Sequence, residues 1–150
     1  MTWYVVGSFE DDINKFQRKT VDKMNQIVRK VALELFARII YKTPVDTGRA
    51  RSNWQVSIGT PAAGTVEIDD KSGNATVSQA TAKSAGFKAG DTIYLANNLP
   101  YIRRLEEGGY GEGPKTVGGF SRQAPQGMVT LTVQEFSAVV KQIGLEIRRQ

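Results

Sequence analysis

The chain has 150 residues, 40% of them hydrophobic and 23% charged, a net charge of +5, and no cysteine or histidine. Such a composition specifies one folded domain with its own core. It excludes a disulfide framework, a thiolate or imidazole zinc site, and an imidazole-activated serine or cysteine nucleophile.

No apolar run approaches the ~20 residues that span a membrane. The start, Met1-Thr2-Trp3-Tyr4-Val5-Val6, is too short for a signal-peptide core and has no basic residue before it. The expectation is a soluble product of the cytosol, with no membrane partner and no cofactor. The positive charge suits nucleic acid or an acidic partner without deciding between them.

Residues 11–42 predict the first element. Ile13, Phe16, Met24, Ile27, Val28, Val31, Leu35 and Ile39 recur at helical spacing. Ser8 and Asp11 resemble a capping box, and Glu10, Asp11 and Asp12 fall where a helix dipole favours acids. Thr43-Pro44 stops the helix. Its length would be roughly 48 Å, long for so small a domain. Its polar side carries Lys15, Arg18, Lys19 and Lys23, either a solvated face or one that meets DNA or an acidic partner. Trp3 to Val6 reads as a strand, pairing either with a neighbour's sheet edge or within its own chain.

Pro44-Val45-Asp46-Thr47-Gly48 reads as a turn. Trp54, Val56 and Ile58 alternate with polar residues as a half-buried strand, and 65–68 suggests a second. A short helix is expected over 77–85, with Gly86 as its cap. A strand follows at 92–96, and a helical turn from Pro100 to Glu107. Residues 108–122 hold six glycines and read as a flexible loop that orders on assembly. The last helix is expected from about Pro125 to Arg148. The fold class is α+β: two long helices packed on a small, mostly antiparallel sheet, with a long Gly-rich loop.

No catalytic set can be assembled. Asp46, Glu106 and Glu107 could be cast as acid–base carboxylates, or as a Mg²⁺ site. Neighbours such as Glu106 and Glu107 diverge on a helix and do not make a natural pair. The expectation is a protein that is not an enzyme. Arg49, Arg51, Arg103 and Arg104 facing Asp46, Glu106 and Glu107 would instead fix register, within the fold or between subunits.

Three blocks of this sequence resemble a known family. Thr43-Pro44-Val45-Asp46-Thr47-Gly48-Arg49-Ala50-Arg51-Ser52-Asn53-Trp54 follows a long basic helix and is similar to the "TPVDTGR…W" signature of tail-completion and head–tail joining proteins of long-tailed bacteriophages. Asn97 to Gly108 resembles their "NNLPYIxxLExG" block, and Gln123 to Met128 their "QAPxGM" block. Residues 109–120 are longer and richer in glycine than that family's pattern.

The resemblance implies a non-enzymatic α+β subunit of the virion, in a hexameric or dodecameric ring at the neck or tail top. Its partners would be further copies of itself, the neck or adaptor proteins and the tail tube, with genomic DNA passing through the lumen. A tail terminator is a close neighbour of this reading, and a small basic nucleic-acid-binding protein is the alternative from another class. The residues expected at subunit contacts are Trp3, Tyr4, Asp46, Arg49, Arg51 and Trp54. From the second block and the loop come Tyr101, Arg103, Arg104, Glu106, Glu107, Tyr110 and Phe120. Lys15, Arg18, Lys19 and Lys23 are the residues expected to face DNA or an acidic partner.

Overall fold

A computed structural model describes the backbone of residues 3–150, and the side chains of residue 15 and residues 17–150. Its first helix, α1, runs over Trp3–Lys42. The expected start at residue 11 is therefore too late, and Trp3 to Val6 is helical backbone rather than a strand. Once a helix is nucleated, each added residue gains a hydrogen bond without a sheet partner, and two valines cost only tenths of a kcal/mol in propensity, about 0.7 at most each. Ser8 lies within α1 and does not cap it. The side chains of Trp3 and Tyr4 lie outside the described residues.

At its other end α1 stops where Thr43-Pro44 predicts. The Thr43 N–H and hydroxyl both return to the Ile39 carbonyl, at 3.1 and 2.7 Å.

A single turn, α2 (Arg49–Ser52), leads into β1 (Gln55–Ile58). β1 pairs antiparallel with β2 (Ile93–Ala96), with Gln55 opposite Ala96 and Ile58 opposite Ile93. Residues 65–68 are not a strand. The buried Asn53 amide takes both backbone groups of Val66, accepting its N–H at 2.7 Å and donating to its carbonyl at 3.0 Å. A side chain thus replaces a ladder there.

Helix α3 spans Asn74–Ser84, starting earlier than expected because the Asp70 carboxylate collects the Gly73 and Thr76 N–H groups at 3.1 and 2.9 Å. Gly86 is not its left-handed cap, since its φ is not positive.

Helix α4 (Ile102–Glu107) follows Pro100 as predicted. The segment expected to be a loop, 108–122, contains a hairpin of β3 (Thr116–Val117) and β4 (Phe120–Ser121). Gly118 and Gly119 form its two-residue turn with φ of +57° and +86°. Positive φ at both central residues matches the twist of paired strands.

The C-terminal helix is two helices, α5 (Val129–Gln134) and α6 (Phe136–Arg148). The joint is Glu135, whose carboxylate pairs with Arg38 and Lys42 of α1. This pins the α6 start to one end of α1. Gln150 shares a hollow with residues 15–26 at the other end, so α6 runs antiparallel to α1.

The core follows from this arrangement. Val139, Ile143 and Ile147, four apart, pack with Ile27, Val31 and Leu35. Val56, Ala80 and Phe87 pack with Leu33 and Phe36, whose ring meets Phe87 edge-on at 6.4 Å. Ile39, Ile40, Trp54, Leu99, Leu105 and Met128 close the remaining space.

Candidate functional site

All three blocks contribute to one groove of about 810 Å³. One wall is the turn Pro44–Ala50; Tyr101, Leu105 and Tyr110 form the floor; Pro114–Thr116 and Ser121–Gln123 of the hairpin region form the other wall. The walls are tied at one point. The Gln123 side chain accepts the Val45 N–H at 2.8 Å and donates to the Val45 carbonyl at 2.9 Å. The "QAP" glutamine therefore clamps the "TPV" turn, a contact between blocks 78 residues apart that neither block announces alone.

Most of the expected interface arginines are occupied within the chain. Arg51 donates to three carbonyls, Thr43 at 2.9 Å, Tyr41 at 2.7 Å and Lys71 at 2.7 Å. Burial lowers its pKa, with Asp70 opposing. Arg49 pairs with Glu67 at 2.7 Å, and Arg103 with Glu107 at 2.9 Å one helical turn away. The Arg104 guanidinium lies over the Tyr110 ring, 5.4 Å from its centre. Within the chain neither Arg49 nor Arg51 pairs with Glu106.

Glu106 instead holds the start of α5. One of its oxygens accepts the Met128 and Val129 N–H groups, and the other accepts the Thr130 N–H and hydroxyl. Burial pushes its pKa up, but these bonds outweigh burial and leave it below the usual carboxylate range. With both oxygens occupied, it is poorly placed for acid–base work.

Trp54 is also corrected. It is 8% exposed and its indole N–H donates to the Thr43 hydroxyl at 2.8 Å, so it belongs to the core rather than to a contact surface. Phe120 is half-buried, and its ring lies where a Cβ on Gly108 would stand at 3.1 Å. Asp46, Tyr101 and Tyr110 do reach the groove, and burial raises the Tyr101 phenol above the ordinary tyrosine range, with Arg49 opposing. Lys115 and Arg122 also line it, and sequence reasoning missed them because the residues between them read as loop.

Lys15, Arg18, Lys19 and Lys23 do come together, with Asp22, Gln26 and Gln150, around a hollow of about 440 Å³. Asp70 and Glu135, the two other anchoring carboxylates, carried no signal in the sequence beyond their charge. Among the described residues no cluster of three or more Asp or Glu could hold a metal, and no helix is long and apolar enough to cross a membrane.

Fold and site together define a small α+β protein whose buried polar groups hold loops in place around an open groove. A family model described as "Bacteriophage HK97-gp10, putative tail-component" matches residues 7–108, from α1 through α4 and so more than half of the chain. The chain belongs to this HK97-gp10-like family of phage tail components, and its place is accordingly the virion. No curated protein and no solved structure matches it.

Proposed function

We propose that this tail component is a ring subunit at the phage neck or tail top, which completes the tail and joins it to the head. The observation that carries this reading is the groove. Three separated sequence blocks contribute to it, one of them clamping it through Gln123, and its polar groups anchor backbone instead of forming a catalytic set. A partly apolar recess lined also by charged side chains suits a partner protein's segment. Ring neighbours present different patches to one another, and rotation closes the set at six or twelve copies. The mechanism is assembly: one surface recognises the neck or adaptor proteins, another the tail tube, and DNA passes through the lumen. A tail terminator is the near variant of this reading.

Cryo-electron microscopy of the native particle tests it. The expected result is a ring of this chain between portal and tail tube; density elsewhere in the tail, or none, overturns it.

One observation favours a second reading, direct nucleic-acid binding: the gathering of Lys15, Arg18, Lys19 and Lys23 at one end of the α1–α6 pair. Binding there would weaken steeply with salt and be lost when the four are changed to Ala.

A further inference from the structure

Helix α1 leaves the body before its described side chains end. Residues 17–22 are all exposed. At about 100° per residue, six consecutive positions cover the whole circumference, so every side of α1 is open to solvent there. Val21 and Met24, each about half exposed, sit on this stalk. An isolated helix of this length is marginal in water, and a stalk of this kind calls for a partner.

The sequence ahead of the stalk has a distinct chemistry. Residues 1–14 contain Glu10, Asp11 and Asp12 and no Lys or Arg, in a chain whose net charge is +5. They also contain Trp3, Tyr4 and Phe9, the residue types that dominate as interface anchors.

The groove has the complementary character. Its floor is Tyr101, Leu105 and Tyr110, and its hairpin wall presents Lys115 and Arg122, which sit side by side on paired backbone, Arg122 N–H to Lys115 carbonyl at 3.0 Å. Neither cation forms an ion pair among the described residues.

A chain cannot fill its own groove. The groove adjoins the end of α1 at Lys42, and residue 14 lies about 40 Å away along an unbroken helix at ~1.5 Å per residue. Any such contact joins two copies, head to tail.

We propose that the acidic, aromatic segment 3–14 of one copy docks in the groove of the next, with its carboxylates facing Lys115 and Arg122. This rests on the reading of the protein as a self-assembling ring subunit. It adds which two surfaces meet and why the contact is directional: the segment at the start of α1 in one copy meets the groove at the far end of α1 in the next.

A charge-swap experiment on the full chain tests the proposal, with assembly followed by sedimentation velocity. The paired changes Lys115→Glu and Arg122→Glu should weaken self-association at least about tenfold, as should Glu10→Lys, Asp11→Lys and Asp12→Lys together. All five changes combined should restore most of it. As a second readout in this cysteine-free chain, Ser8→Cys and Ser121→Cys in separate populations should cross-link to each other on oxidation. If the unaltered chain self-associates but the groove changes leave that untouched, or if Ser8→Cys links only to itself, the docking is wrong while the ring reading stands. If the unaltered chain stays monomeric at every concentration and Ser8→Cys does not cross-link to Ser121→Cys, the docking is wrong, and the ring reading is decided by the density on the particle.

Discussion

Glu106 holds Thr130 by two bonds to one oxygen, from the backbone N–H and from the hydroxyl, each 2.7 Å long. Its other oxygen binds the two preceding N–H groups, so one carboxylate on α4 satisfies the first turn of α5, 24 residues away. The orphan donors of a helix start are thereby met by a remote side chain. Glu106→Ala is expected to lower stability by about 2–3 kcal/mol, from lost charged hydrogen bonds and lost capping. Glu106→Gln should cost roughly half that, because one amide oxygen still accepts. Thr130→Val, which removes only the hydroxyl, should cost about 1 kcal/mol. Urea unfolding of the three variants gives the order directly.

Arg51 reaches three carbonyls that lie on both sides of the turn, those of Tyr41, Thr43 and Lys71. A planar fork with five donors can serve three diverging acceptors; an ammonium on a flexible stem cannot hold the same geometry. Arg51→Lys is therefore expected to destabilise by about 1–2 kcal/mol although the charge is kept, and Arg51→Ala by about 2–3 kcal/mol. If Lys proved neutral in thermal unfolding, the clamp would carry no energy.

The sequence made the helices and β1 legible because periodicity reports burial: Ile27, Val31 and Leu35 pack as their spacing demands, and Trp54 and Val56 are buried as an alternating strand requires, whereas Ile58 at the end of β1 is 45% exposed and departs from the expected pattern. Thr43-Pro44 marked the end of α1 within a residue. The misses share a cause, which is that remote side chains decide local backbone. Asn53 occupies the backbone of Val66 and cancels a strand, Asp70 starts α3 early, and Glu135 breaks the last helix by pairing with Arg38 and Lys42. Each is a tertiary contact that a local pattern cannot contain. The groove was half legible: Asp46, Arg49, Tyr101 and Tyr110 were named, but Gln123, Lys115 and Arg122 become neighbours of the turn only through the hairpin.

Three anchoring carboxylates set the pH response. For Asp70 burial raises the pKa, but bonds from the Thr76 hydroxyl and N–H, the Gly73 N–H and the Ser72 hydroxyl hold it below its ordinary value. Glu106 is likewise depressed. Glu135 is lowered by its bonds to Lys42 and Arg38, against a weaker opposing effect of burial. A depressed folded pKa means that the unfolded chain binds more protons, so stability rises with pH through this window. The contribution is complete above the unfolded values, about 4, and is lost as pH falls through the lower folded ones. The chain has no histidine to titrate between. The urea midpoint should thus be nearly flat from about pH 7 to 5 and fall steeply below about 4. Asp70→Asn should be less stable at neutral pH and fall less steeply; a parallel curve would show that Asp70 does not contribute to the acid transition.

Gly48 is the glycine of the "DTG" turn, at φ +96°. Its carbonyl accepts the N–H groups of Ser52 and Asp70, drawing the loop around residue 70 against the turn. A Cβ there would stand 2.4 Å from the Lys71 nitrogen and 2.5 Å from the Asp70 carbonyl carbon, both backbone atoms that cannot swing away. Gly48→Ala therefore meets two penalties, the left-handed conformation at about 1–2 kcal/mol and the displacement of the loop that carries Asp70. Gly64 isolates the first penalty. It has φ +77°, and a Cβ added there would meet nothing within 4 Å. Gly64→Ala is expected to cost about 1 kcal/mol, and Gly48→Ala more than about 3, with much of the excess appearing as lost capping of α3 by Asp70. Amide hydrogen exchange distinguishes this from uniform weakening: protection of Gly73 and Thr76, the two N–H groups held by Asp70, should fall in Gly48→Ala and be retained in Gly64→Ala.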